Sequence, residues 1–389
     1  MNKLRKAQPL TAIDIRILEA LCGYGPRNLS RVAKAVGISR HALEFRIRRM
    51  RANPKFFLRM FTSVYHTKIG LKKAVAFIEA KPGMEQLLFD CLKTNDFWLY
   101  ICRSYGIGEG CTAIYAVPAD HCSDLEEFIY EMKRLGLASR INIYWSTCFQ
   151  GGRITSTWFD CQKGNWIFDW ENWIKEVQTQ KTDLPYSLME PESYTICADE
   201  IDVQMLMWLE SDATKSIKEI ADTLGIDRQR AHYHYKEHLL KRNLIEGYEI
   251  FVMRYWDTPY VMVYFIIAFH DYKTFAKFTR SLLDKFFVLT MGKILGENSL
   301  IVEVFLPIKE FRNFVDALSK MTQMSLVKSY KYAIQDLRMQ CRQTFSGEYF
   351  KNDTWIYDHK KHMEKLQQKV QSTRREDIQN LRQTIRKTR

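Results

Sequence analysis

One feature constrains this chain more than any other: it repeats itself at a nearly fixed spacing. Ile13, Asp14, Ile15, Leu18 and Leu21 return as Ile201, Asp202, Val203, Leu206 and Leu209, an offset of 188 residues. Ala33, Gly37, Ile38 and Arg40 return at the same offset as Ala221, Gly225, Ile226 and Arg228, and Gly108 and Glu109 as Gly296 and Glu297. Pro118 returns as Pro307, and Trp166, Ile167, Phe168 and Asp169 as Trp355, Ile356, Tyr357 and Asp358, now at 189. A register held over about 150 residues predicts a duplicated and fused unit, so both halves must fold on one plan.

Each half opens with three short helical patterns. Ile13, Ile17, Leu18 and Leu21 have helix spacing, Asn28 to Val36 makes a second helix, and Gly37 with Ile38 makes a tight turn. Ser39, a good N-cap, then opens a third helix running to about Arg51. This is a helix-turn-helix signature. The second half repeats it with Ile217 to Leu224, the turn Gly225 and Ile226, and Asp227 capping a helix to about Lys241. Phe56 to Val64 and Ile250 to Tyr255 read as short strands of a wing, one segment in each half.

After each wing the periodicity gives strand, helix, strand, strand, helix, strand. In the first half these are residues 74–78, 84–92, 97–103, 112–117, 122–135 and 141–145; in the second they are 261–268, 273–283, 287–293, 300–306, 308–321 and 329–333. The expected fold class is α+β: two winged helix-turn-helix domains and two ferredoxin-like βαββαβ domains in tandem, each with two helices on one face of an antiparallel sheet. The expected boundaries are 1–70 and 199–256 for the winged domains and 71–150 and 257–340 for the sheets. Residues 151–198 form an aromatic segment and linker marked by Pro185 and Pro191, and 341–389 an aromatic segment with a basic C-terminal helix.

Charge points to a partner. Residues 1–60 hold fourteen Lys or Arg against three Asp or Glu, a balance of +11; residues 359–389 hold ten against three, or +7; the remaining 298 residues sum to −5. Positive charge confined to two ends is the footprint of a polyanion such as double-stranded DNA. The longest apolar run, Tyr260 to Phe269, has ten residues where a membrane span needs about 20, so no membrane partner is expected. The basic start is followed by a stretch broken by Asp14, Arg16 and Glu19, which cannot form a signal core; a cytoplasmic location is expected. Nine scattered Cys without a C-x-x-C pair predict reduced, mostly buried thiols and no zinc site.

A helix-turn-helix followed by a βαββαβ domain resembles the Lrp/AsnC (feast/famine) family of prokaryotic transcription regulators, here in tandem. The residues carrying the resemblance are Asp14 and Asp202 at the start of the first helices, the Ala-x-x-x-Gly-Ile turns, the caps Ser39 and Asp227, and Ile245, Glu246, Gly247 and Tyr248 at the second wing. It covers roughly 10–148 and 198–336. The first wing departs from it, reading Asn53, Pro54, Lys55, Phe56. The resemblance implies RAM-type sheet domains, a dimer built through them, formed here as a pseudo-dimer within one chain and open to further homo-oligomers, and a small-molecule effector. The effector loop would fall at Gly108 and Glu109 and at Gly296 and Glu297, where the family's Gly-x-Tyr-Asp reads Gly-Glu-Gly-Cys and Gly-Glu-Asn-Ser.

On the third helix Leu43, Ile47 and Met50 share an inward face, leaving Arg40, His41, Glu44, Arg48 and Arg51 outward. Arg40 and His41 are the candidates for base edges, since an Arg in the first turn can bond bidentately to guanine. Arg31, Arg46, Arg49 and Arg51 are expected on phosphates. Arg228, Gln229, Arg230, His232 and Lys236 hold the equivalent places in the second half, weakened by Asp222, Asp227 and Glu237. His232, His234 and His238 are expected to be solvated surface rather than a metal site. Gly106, Gly108 and Gly110 read as a hairpin turn. Trp166, Trp170 and Trp173 should share one helix face and cover the neighbouring sheet or a dimer seam, with a stacking platform for bases as the minor alternative. In the C-terminal helix Met363, Leu366, Val370, Ile378, Leu381 and Ile385 form an apolar stripe, facing either DNA backbone or another chain.

Two other classes remain open. Siroheme decarboxylases share this architecture, and Tyr65 to Gly70 faintly resembles their Asn-His-Arg-x-x-Gly segment; their His/Tyr/Arg signature is missing from Phe97 to Arg103 and from Phe287 to Met291. A chromatin-like protein would bind duplexes without preference. With no Ser/His/Asp, metal or phosphate-loop constellation, the expectation is a regulator, not an enzyme, with no cofactor and no metal.

Overall fold

The computed structural model describes residues 10–53, 56–255 and 258–387. Pro54 and Lys55 of the first wing, and the side chains of Ile378, Leu381 and Ile385, lie outside the described residues.

The chain begins with helices α1 (Ala12–Tyr24), α2 (Leu29–Val36) and α3 (Arg40–Ala52) and strand β1 (Arg59–Val64). There follow β2 (Leu71–Ala80), α4 (Glu85–Leu92), β3 (Trp98–Gly106), β4 (Gly110–Pro118), α5 (Cys122–Arg134) and β5 (Ala138–Ser146). Short strands β6 (Gln150–Gly151), β7 (Phe159–Asp160) and β8 (Asn165–Trp166) lead to α6 (Trp170–Thr179). A second trihelical segment comprises α7 (Glu200–Ser211), α8 (Ile217–Leu224) and α9 (Arg228–Tyr233), the last continuing as a π-helix over His234–Leu240, and is followed by β9 (Ile245–Phe251). Then come β10 (Tyr260–Ala268), α10 (Tyr272–Leu282), β11 (Val288–Lys293), β12 (Ser299–Pro307), α11 (Ile308–Gln323) and β13 (Ser329–Arg342). Strands β14 (Phe350–Lys351) and β15 (Thr354–Trp355) and helix α12 (His359–Lys387) end the chain.

The contacts divide the chain into two compact units, and neither is a contiguous stretch. One comprises Met1–Tyr65, Thr147–Glu192 and Cys197–Lys331; the other comprises His66–Ser146, Ser193–Ile196 and Tyr332–Arg389.

In the first unit the two trihelical segments exchange their strands. β1 does not form a wing with a neighbour from its own half; it pairs antiparallel with β9, Arg59 opposite Phe251 and Thr62 opposite Tyr248. Helix α1 packs on β9 and α7 on β1. Two separate wings were expected; a two-stranded ribbon shared between the segments is what forms. Arg27 reinforces it, donating from Nε to the Ala213 carbonyl at 3.1 Å and from Nη2 to the Lys215 carbonyl. The remainder of this unit is an antiparallel sheet in the order β10-β12-β11-β6, carrying α10 and α11.

The second unit holds a sheet in the order β5-β2-β4-β3-β13. Every residue of β4 is buried, as is every residue of β12 in the first unit, which is why both read as near-continuous apolar runs. β13 is far longer than the five residues expected, because beyond Ala333 it pairs with β3 through a register shift between Gln335 and Gln340. Gly106 ends β3 and Gly110 begins β4, the hairpin expected of the glycine run.

The aromatic segments are exchanged as well. Residues after β5 pack on α11 and on the segment that follows α10: Trp166 stacks on Phe286 at 4.3 Å, Trp173 stacks on Phe314, and their neighbour Trp170 donates to Glu310 at 2.9 Å. Trp166 lies on β8, ahead of the helix that carries Trp170 and Trp173, so the expected single helical face is divided between two elements. Residues after β13 pack in the second unit: Tyr357 stacks on His121 and accepts from Asn95, and Trp355 donates to the Ile69 carbonyl. Cys91, Cys102, Cys111 and Cys148 are buried, but Cys161 and Cys197 are exposed, so the thiols divide between core and surface.

Candidate nucleic-acid interface

Three local devices aim α3. Thr11 and Asp14 form a reciprocal capping box at the start of α1. Gly37 ends α2 at φ +77°, a left-handed conformation that costs a residue with a Cβ roughly 1–2 kcal/mol. Ser39 then accepts from the Ala42 amide at 3.2 Å, starting α3 immediately after the turn. Leu43 and Met50 are fully buried and Ile47 packs against the same core with Ile15, Leu18, Val32 and Val36.

The opposite face of α3 is open. Arg40 keeps 64% of its side chain exposed and makes an (i, i+4) pair with Glu44 at 2.8 Å, a contact worth about 0.3–0.5 kcal/mol and so easily given up. His41, Arg48 and Arg51 are exposed beside it. Phe45, 61% exposed on this face, was missed by sequence reasoning, although the helical period places it one turn from His41; an exposed aromatic there suits a thymine methyl. Arg48, Arg51, Glu44 and Ile47 line a groove of about 320 Å³ with Pro26, Leu29, Met60 and Thr214. Arg31 lies exposed with its guanidinium over the Tyr24 ring, 4.6 Å from the centroid.

Arg46 and Arg49 require a correction. They were expected on phosphates, but Arg46 donates to Asp14 Oδ1 at 3.0 Å and Arg49 to Asp14 Oδ2 at 2.6 Å, and Asp14 is fully buried. A buried carboxylate must be paired, and these two guanidiniums pair it. Arg51 is tied in part, donating to Thr214 Oγ1 at 3.0 Å.

In the second segment Gly225 repeats the left-handed turn at φ +65°, and Asp227 caps α9 through the amides of Gln229 and Arg230. Arg228, Gln229, Arg230, His232 and Lys236 are all exposed, with Arg228 3.7 Å from Asp222. His234 and His238 are not the solvated surface expected of them. Both point Nδ1 at Asp202, His234 at 2.8 Å and His238 at 2.9 Å, and Asp202 is fully buried.

The two loops expected to hold an effector differ. Gly108 lines a slot of about 10 Å³ with Glu79 and Arg140, whereas Gly296 and Glu297 border a groove of about 390 Å³ with Glu190, Tyr272 and Lys293. There Glu190 accepts from the Lys293 ammonium and from the Gly296 amide, and the lysine bond foremost holds its carboxyl below the usual range.

Residues 10–51 match the AsnC-type helix-turn-helix domain. No curated protein matches the chain. Among solved structures, the siroheme decarboxylase NirDL is similar with a TM-score of 0.54 and 10% identity, covering 94% of this chain and 100% of that one. NirDL in complex with an iron-uroporphyrin III analogue is similar at 0.52 and 10% identity, over 92% and 98%. The transcriptional regulator NMB0573 from Neisseria meningitidis, in an L-Met complex, is 12% identical with a TM-score of 0.26, over 34% of this chain and 86% of that one. The NirDL likeness corrects the expectation that the chain is not an enzyme: its fold, over nearly its full length, is one on which an enzyme is built. No helix among the described residues is long and apolar enough to cross a membrane.

Proposed function

We propose that this chain is a DNA-binding transcription regulator of Lrp/AsnC type, a tandem duplication in which two winged helix-turn-helix heads and two ferredoxin-like, RAM-type domains form a pseudo-dimer within one chain. The observation that carries the reading is the outward face of α3, where Arg40, His41, Phe45 and Arg48 stand exposed on a capped helix behind a left-handed Gly37, inside the matched AsnC-type segment. The ribbon shared by β1 and β9 supports the pseudo-dimer, since each head is completed by the other half's strand. Base reading falls to Arg40 and His41, with Arg31, Arg48 and Arg51 on the backbone and Arg228, Gln229, Arg230, His232 and Lys236 making a weaker second half-site. The groove beside Gly296 and Glu297 is the place for a small-molecule effector. The test is selection of duplexes from a random pool followed by competition against unselected DNA. Specific binding should fall by about 10³ to 10⁵ between 50 and 200 mM salt if 6 to 10 phosphates are contacted. Arg40→Ala should cost about 1–3 kcal/mol and relax one base pair; unchanged affinity and preference would remove the reading.

The full-length likeness to NirDL favours a second reading, decarboxylation of siroheme or a related tetrapyrrole. Mixing the chain with siroheme and following absorbance and loss of carboxylate tests it directly.

A further inference from the structure

The second trihelical segment contains a cluster that DNA binding does not use. Asp199, Asp202, His234 and His238 bring one donor atom each to within 4.8 Å of one another. The aspartates come from the start of α7 and the histidines from the π-helix, 32 and 36 residues beyond Asp202. From these observations we propose that the four residues form a binding site for one divalent transition-metal ion of the zinc class.

Geometry argues first. His234 Nδ1 lies 2.8 Å from Asp202 Oδ1, and His238 Nδ1 lies 2.9 Å from Asp202 Oδ2. Asp199 Oδ2 is 3.5 Å from each imidazole Nδ1. Donors bound tetrahedrally at about 2.0–2.1 Å stand about 3.3 Å apart, so a small adjustment of these side chains would seat an ion. Two imidazoles with two carboxylates suit zinc and its neighbours rather than calcium or magnesium, which take oxygen-only shells.

Orientation argues second. Asp199 uses Oδ1 to accept the Asp202 amide, leaving Oδ2 toward the histidines, while Asp202 Oδ2 accepts the Asp199 amide at 3.1 Å. Backbone amides thus hold both carboxylates in place, as outer-shell partners do around bound metals. Two adjoining carboxylates also carry the charge that a dication balances. Arg242 stands 3.8 Å from Asp202 and donates to the Cys197 carbonyl.

The backbone argues third. Arg46 and His234 are separated by the repeat's 188 residues, but Arg49 and His238 by 189. The π-helix between them absorbs the extra residue and brings His238 to Asp202 as Arg49 is brought to Asp14. π-helical turns are rare and concentrate at functional sites.

The experiment uses the full chain, stripped with chelator and titrated with Zn²⁺ and, for its spectrum, Co²⁺. One equivalent should bind, with d–d bands of tetrahedral nitrogen and oxygen ligation and a rise in melting temperature. His238→Ala should weaken binding at least tenfold. The double variant H234R/H238R, which copies the first segment's pairing and so should stay folded, should abolish both binding and the metal-induced rise. No saturable binding by the wild-type chain, or unchanged affinity in H234R/H238R, would overturn the proposal. A thiolate-to-cobalt charge-transfer band would do the same by placing the ion on cysteine.

Discussion

Asp14 and Asp202 occupy the same position in the two trihelical segments, both fully buried and both in reciprocal capping boxes, yet they are neutralised by different chemistry. Asp14 holds two guanidiniums, which offer donors alone; Asp202 holds two imidazoles, which are also metal-ligand side chains. The difference teaches that a basic residue on the third helix of such a segment is not automatically available to a partner. Arg46 and Arg49 pair the buried Asp14, and the unpaired cationic surface of α3 is correspondingly smaller than its sequence suggests.

The largest effect should come from breaking the arginine pairing. Asp14→Ala leaves two guanidiniums facing a core without their carboxylate, and losing a buried partner costs about 3–5 kcal/mol, here toward the lower end because both arginines are partly exposed. Asp202→Ala should cost distinctly less in metal-free protein, because it leaves two imidazoles, rather than two obligately charged guanidiniums, without a partner. Urea unfolding of both variants measures the gap, and equal losses would mean the two pairings are energetically alike.

The comparison extends to a third carboxylate, in the second unit. Asp96 accepts from Lys365 and Tyr349 at 2.7 and 2.8 Å, with His362 at 3.4 Å. Burial opposes its charge, but the bonds from His362, Lys365 and Tyr349 prevail and hold the carboxyl well below the ordinary aspartate range. A lowered native pKa contributes stability that is complete above the unfolded value of about 3.9 and is lost as pH falls through the native one. Asp96→Asn should therefore flatten acid unfolding below about pH 4; an unchanged acid limb would show that the α12 clamp contributes little.

A smaller effect sharpens the likeness of the segments. Gly37→Ala and Gly225→Ala meet no atom within 4 Å of the added Cβ, so each should cost only the left-handed conformation, roughly 1–2 kcal/mol and nearly equal. A marked inequality in thermal shifts would show that one turn is strained by something besides its φ. Smallest of all, Arg46→Gln should leave the salt slope of DNA binding unchanged within error, whereas Arg48→Gln should lower it by about 1.

Much of the candidate interface was readable because its signals are local. The caps at Ser39 and Asp227, the turns at Gly37 and Gly225 and the inward face of Leu43 and Met50 each depend on residues within one or two helical turns. The roles of Arg46, Arg49, His234 and His238 were not readable in that way. Their partners lie 32 to 36 residues away, and a helical wheel separates inside from outside but does not register a partly exposed side chain reaching back to a buried carboxylate.

Sequence by itself determined the recurring residue pattern, the helices that precede and follow Gly37 and Gly225 and the position of those turns, because periodicity, capping and glycine conformation act over a few residues. Tertiary structure decided which copy of each element meets which: β1 with β9, α6 with α10 and α11, β13 with β3, and α12 with α4 and α5. Where similar helices and strands recur along one chain, more than one surface can accept a given strand or tail. Non-local packing therefore makes that choice, and no pattern within a single segment can encode it.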